Sequence, residues 1–160
     1  MSNFVNTIEL LGDSTTVVSL IEGALEEFND DVLVIIRSNA FAVLRTLKSV
    51  SLPNVTEIST RAFSSCSALE SVQLSKATVI KSSAFYGCSV LKSLVLRSPT
   101  VVTLSASDVF NYSSFSSSGK GGTVYVPQAL ITEYQNATNW STLYASGKCN
   151  FVAIEGSEYE

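Results

Sequence analysis

The sequence predicts an α/β solenoid rich in β structure, with a short parallel sheet on one side, one-turn helices opposite, and a C-terminal helical cap. Three observations predict it. Segments beginning at residues 36, 58 and 80 align at a constant step of 22 residues. Each ends in an alternating apolar run of strand length. The repetition then gives way to a proline-led stretch with helical spacing.

The repeat is read directly from the chain. "IRSNAFAVLRTLKSVSLPNVTE", "ISTRAFSSCSALESVQLSKATV" and "IKSSAFYGCSVLKSLVLRSPTV" place Phe41, Phe63 and Phe85 in one slot and Ile36, Ile58 and Ile80 in another. Leu47, Leu69 and Leu91 keep the same step, as do Leu52, Leu74 and Leu96. A unit this small cannot bury its own apolar face, so copies must stack around a shared core. "LKSVSL", "LESVQL" and "LKSLVL" read as strands that pair in parallel at about 4.8 Å per coil. The Ala-Phe segment is too short for an independent helix and is expected as one helical or 3₁₀ turn.

Cys66 and Cys88 share a slot that holds Leu44 in the first unit. A slot that takes leucine or cysteine asks for apolar volume, so both thiols are expected to be buried and inert. The competing reading is a redox pair between adjacent coils. Cys149 lies outside the repeat and is expected to be structural. An odd number of cysteines argues against a secreted disulfide framework.

The pattern I-x3-A-F-x2-C-x2-L-x2-V-x-L resembles the BspA-like leucine-rich repeat, a family seen in bacterial surface adhesins and in virion proteins of tailed bacteriophages. The resemblance covers residues 36 to about 103 and implies a leucine-rich-repeat solenoid. The continuation "LVLRSPTVVTL", then "TVYVPQALITEYQNATNWSTLYA", is similar to the closing segment of such arrays and points to the phage-type members.

Residues 31–126 are assigned to the repeats, with a distorted fourth coil over 104–126. There Val109-Phe110 replaces Ala-Phe, and "SSFSSSGKGG" reads by composition as an inserted flexible loop. Its "GKGGT" lacks the Ser or Thr that follows Lys in a phosphate loop. Residues 127–160 are assigned to the cap: Ala129, Leu130, Tyr134 and Ala137 share one helical face, Trp140, Leu143 and Tyr144 a second, and 151–154 adds a strand. Residues 1–30 form an N-terminal segment and cap. Residues 14–28 fit helical spacing, but their β-branched run around Glu22-Gly23 reads better as two strands. The start of the chain is a possible anchor to a partner.

Chemistry is sparse. The chain has no histidine, which removes the imidazole triads, imidazole metal sites and the usual base near neutral pH. Glu26-Glu27 and Asp30-Asp31 are sequence neighbours whose side chains diverge on a strand, and no loop has calcium-ligand spacing. No catalytic residue, cofactor or metal is expected. Asn-x-Ser/Thr sequons begin at Asn54, Asn111, Asn136 and Asn139, as chance allows in a chain a quarter Ser plus Thr. A net charge of −4 argues against nucleic acid. The N-terminus does not read as a signal peptide, and no apolar run is long enough for membrane insertion.

If Val50, Val72 and Leu94 point inward, their neighbours form an outer face. One row is Ser49, Ser71, Ser93 and Thr123; the next is Ser51, Gln73, Val95 and Tyr125. At the strand starts Lys48, Glu70 and Lys92 alternate in sign. This face reads either as plain soluble sheet surface or as a polar platform, anchored by Tyr125, for a glycan or protein. The resemblance of the closing segment, with no signal peptide and no wall anchor read in the chain, implies a non-enzymatic protein of a phage virion surface, in a fibre, baseplate or head decoration. Its partners would be other virion proteins or a host-surface glycan or protein, with a homo-oligomer possible. The alternative is a bacterial cell-surface adhesin.

Overall fold

Each repeat contributes a strand where its apolar residues alternate and a second, shorter one a few residues later. The computed structural model describes residues 25–116 and 121–160. Numbered in chain order, the longer strands are β1 (Glu27–Asn29), β3 (Ser49–Leu52), β5 (Ser71–Leu74), β7 (Ser93–Leu96), β9 (Gly122–Val126) and β10 (Cys149–Ala153). They form one six-stranded sheet in that order. The shorter strands β2 (Ile35–Ile36), β4 (Glu57–Ile58), β6 (Val79–Ile80) and β8 (Thr103–Leu104) form a second sheet. All pairings are parallel.

Sequence columns become spatial columns. Glu27 lies opposite Ser49, Ser49 opposite Ser71 and Ser71 opposite Ser93. Because β1 belongs to the sheet, stacking reaches past the residue-30 boundary drawn from the sequence. Phe28 stands there opposite Val50, in a coil too degenerate to align by eye. Of the stretch expected as two strands, residues 14–24 lie outside the described residues.

The core fills the space between the sheets. Val50, Val72, Leu94 and Val124 enter from one side, and Ile36, Ile58, Ile80 and Leu104 from the other, all buried. Between them Phe41, Phe63, Phe85 and Phe110 stack with ring centroids 5.2, 5.5 and 5.6 Å apart and planes within 10° of parallel. Rings at this spacing gain about 0.5–1.5 kcal/mol per pair beyond their burial. Phe28 closes the column at one end, while Phe115 and Trp140 close it at the other.

The segment opposite the main sheet has the i to i+3 hydrogen bonds of a 3₁₀ turn but does not propagate as a helix. In the second coil Ala62 N–H donates to Ser59, Ser64 N–H to Arg61 and Cys66 N–H to Phe63. Residues with positive φ interrupt each run: Asn39 and Val43, Arg61 and Ser65, Ser83 and Gly87. Left-handed residues turn the backbone so that N–H groups reach the next coil, as Val43 N–H does to the Ser64 carbonyl at 2.7 Å.

The fourth coil departs from the expected loop. Ser114–Ser116 is a 3₁₀ turn that buries Phe115 completely and stacks it on Phe110 at 4.8 Å. Phe115 packs so close to Gly122 that a Cβ there would lie 2.2 Å from the ring. This glycine leaves room for the aromatic wedge.

After Pro127, a 3₁₀ turn (Gln128–Leu130) leads into α1 (Ile131–Asn136) and then α2 (Trp140–Ala145). Tyr134 and Trp140 are fully buried, with Leu130, Ala137 and Leu143 packed partly beneath the cap. Ala129 and Tyr144 stay exposed. The expected strand at 151–154 is β10, which starts at Cys149 and extends the main sheet by pairing with β9.

Candidate binding surface

The outer face of the main sheet carries the residues that alternation pointed away from the core. Ser49, Ser51, Ser71 and Gln73 are half-buried on β3 and β5, in the two expected rows. Thr123 and Tyr125 continue these rows on β9. Ser93 and Val95 sit in the expected register, but neither is open: Ser93 is 8% exposed and Val95 0%.

The cause is the C-terminal segment, which the repeat columns could not place. Beyond β10, Ile154 N–H donates to the Val126 carbonyl at 2.9 Å, and a turn forms with Ser157 N–H donating to Ile154 at 3.0 Å. The Ser157 hydroxyl also donates to the Ile154 carbonyl at 2.6 Å and accepts the Tyr159 N–H at 3.1 Å. Tyr159 therefore returns to the sheet. Its hydroxyl bonds the Ser93 hydroxyl at 3.1 Å, and its carbonyl accepts from the Arg97 guanidinium. It is thus tied to residues on either side of Val95, and its ring meets Tyr125 edge-on with centroids 4.6 Å apart. The strap carries one tyrosine and one serine among three glutamates, and it was not legible as part of the face because it lies far from β7 in sequence.

A groove of about 390 Å³ runs beside this strap, lined by Glu70, Ser71, Lys92, Ser93, Thr123, Tyr125, Glu158 and Tyr159. The expected charge alternation resolves into discrete pairs. Lys92 meets Glu70 at 2.6 Å, while Lys48 meets Glu26 at 2.7 Å, one coil earlier. The hydrogen bond and charge of Lys92 hold the Glu70 carboxyl below its ordinary range. Burial, then the nearby Glu158 charge, push the Tyr125 phenol up.

Other sequence features resolve into structural roles. The Cys66 thiol donates to the Phe41 carbonyl at 3.0 Å and the Cys88 thiol to the Phe63 carbonyl at 3.2 Å. Burial pushes the Cys66 and Cys149 thiols up to about 12, and that of Cys88 higher still. All three are free and buried. The slot therefore selects for volume and also gives sulfur a main-chain partner. Asp30 accepts from the N–H groups of Val32 and Leu33, and Glu26 is engaged by Lys48. Three of the four sequon amides donate within the chain: Asn54 to Asp31, Asn136 to Thr132 and Asn139 to Leu104.

Among the described residues no cluster of His, Cys, Asp and Glu could hold a metal ion, and no helix is long and apolar enough to cross a membrane. The chain matches the family model of the BspA type leucine rich repeat region, in 6 copies over residues 26–138. It belongs to that family. The match starts one residue before β1 and runs through α1, so the degenerate first coil and the start of the cap are included. No curated protein and no solved structure matches the chain. BspA-type repeats are typically non-enzymatic binding repeats, which suggests a protein–protein binding or adhesion role.

Proposed function

We propose that the protein is a non-enzymatic structural and binding component of a bacteriophage virion surface, in a fibre, a baseplate or a head decoration. Its outer sheet face engages the host surface or a neighbouring virion protein. One observation carries the binding half of this reading: rows of hydroxyl and amide side chains stand on strands whose backbone is committed to sheet pairing on both sides. Such a face is rigid and presents side chains at fixed spacing, which lowers the ordering cost of binding. The virion half is supported by the closing segment, whose resemblance is to the phage-type members of the family.

Mass spectrometry and antibody labelling of purified particles, set against envelope fractions of the producing cell, test the assignment. A constant copy number per particle is the expected result. Absence from particles with enrichment in the cell envelope would overturn it and leave the bacterial surface adhesin. Turnover in a broad hydrolase screen, lost on substitution of a groove residue, would overturn the non-enzymatic reading.

A further inference from the structure

The groove between the C-terminal strap and the outer sheet face has a chemistry of its own. Five of its eight lining residues carry hydroxyls: Ser71, Ser93, Thr123, Tyr125 and Tyr159. Each can donate and accept, though Ser93 and Tyr159 already bond each other and Ser93 is nearly buried. The strand backbones beneath are paired on both sides, so a peptide gains nothing there by strand addition. Val95 is fully buried, and the exposed Val152, which pairs with Tyr125 from β10, is not part of the lining, so the groove itself offers no aliphatic floor for a hydrophobic anchor.

Charge narrows the ligand further. Lys92 is engaged by Glu70 at 2.6 Å, and the remaining charge on the lining is the Glu158 carboxylate. An anionic ligand would meet net repulsion. A neutral ligand with many hydroxyls would find donors, acceptors and the ring faces of Tyr125 and Tyr159, held at 4.6 Å in an edge-on pair. The volume of about 390 Å³ lies in the range of small-ligand sites, roughly 300–1,000 Å³.

From these observations we propose that the groove binds a short neutral saccharide, with Tyr125 as the stacking platform and Tyr159 of the strap as one wall. The site is composite, made by β5, β7 and β9 together with a strap that returns from the end of the chain. This inference rests on reading the protein as a binding module and names the ligand class of that surface.

The test is titration of the isotope-labelled full chain with chitotriose, maltotriose, cellotriose and mannotriose, followed by amide chemical shifts, with sialyllactose as the anionic comparison. At least one neutral sugar is expected to shift Ser71, Thr123, Tyr125 and Tyr159 together. Tyr125→Ala should weaken that sugar about fivefold or more, and removal of residues 156–160 should do the same. Both variants leave the core columns intact, and unchanged shifts of core amides verify it. Ser71→Ala supplies a milder variant, expected to weaken binding about twofold or more. No shift with any neutral sugar, shifts elsewhere, or a response to sialyllactose alone overturns the inference. Particle localisation is scored separately, so a virion-borne protein without sugar binding would remove this inference and leave the proposed function standing.

Discussion

The side-chain amide of Asn139 donates to the main-chain carbonyl of Leu104 at 2.8 Å. In the earlier coils the equivalent carbonyls of Ile36, Ile58 and Ile80 accept backbone N–H groups from Ser59, Lys81 and Ser105. Asn139 therefore replaces a backbone donor where the array ends. Beside it, Trp140 gives its indole N–H to the Val102 carbonyl at 2.7 Å, and the Tyr134 phenol accepts the Val102 N–H at 3.0 Å. A solenoid must satisfy the polar groups of its last coil as well as its apolar ones. Here three cap side chains meet the polar groups, and two of them, Tyr134 and Trp140, also join the core.

Asn139 also holds φ at +67° with ψ at −36°, a positive-φ conformation outside the left-handed helical region that suits glycine better than any residue with a Cβ. Asn139→Gly keeps the backbone permissive and removes only the amide, so it is expected to cost about 1–3 kcal/mol. Asn139→Ala should cost more, since alanine keeps the Cβ that a positive φ disfavours and glycine lacks it. Chemical denaturation of the two variants checks the order. Equal stability of both with the native chain would show that the bond to Leu104 carries no weight.

The columns were legible because a 22-residue step needs no three-dimensional information. Phe41, Phe63 and Phe85 reveal their stacking by spacing alone. Phe110 was recognisable by its apolar neighbour Val109. Phe115 was not, because its surrounding serines and glycines resemble a flexible loop while its ring is wholly buried. The outer rows followed from alternation, and Ser49, Ser51, Ser71, Gln73, Thr123 and Tyr125 occupy them. Burial of Ser93 and Val95 was beyond reach, since periodicity says nothing about a strap returning from residue 159.

Val43 marks a place where the repeat is strained. Its φ of +69° falls in the slot held by Ser65 and Gly87, and β-branched residues are genuine outliers there. The residue is 41% exposed, so it returns little by packing. Val43→Gly is expected to stabilise by about 1 kcal/mol, the strain relieved exceeding the added chain entropy. That corresponds to a rise in Tm of about 2–4 °C. An unchanged or lower Tm would mean that the left-handed turn costs this valine nothing.

The buried thiols set an alkaline limit. Their folded pKa values are raised by burial, to about 12 for Cys66 and Cys149, while an unfolded thiol titrates near 8.5. A raised folded value means the native state holds the proton more tightly. Stability is then full below about pH 8.5 and is lost as pH rises towards the folded values. Each thiol contributes a slope of about 1.4 kcal/mol per pH unit within that window. Replacing Cys66 and Cys149 by alanine should lower stability at pH 7 yet flatten the alkaline decline, as denaturant titrations at several pH values would record. In the native protein at pH 8 a maleimide should label none of the three, and denaturant should release all of them.

Asp108 sets the acid limit by the same kind of substitution that ends the array. Asn39 and Arg61 N–H groups find carbonyls in the next coil, of Thr60 and Ser82, but Ser83 N–H finds the Asp108 carboxylate at 3.3 Å. The hydroxyls of Ser83 and Ser82 donate to it as well, at 2.8 and 2.9 Å. Burial pushes this carboxyl up, yet the bonds from Ser83 and Ser82 outweigh it and hold it below its ordinary range. A depressed folded pKa gives stability that is present above the unfolded value, about 3.9 for aspartate, and lost as pH falls through the folded one. With no histidine in the chain, thermal stability should be level from about pH 5 to 8 and fall below about pH 4. Asp108→Asn keeps the shape but exchanges an acceptor-only group for one that also donates, so it should cost about 1–3 kcal/mol at pH 7. In return its acid decline should be shallower, and melting curves from pH 2 to 8 that keep the native slope would remove Asp108 from this role.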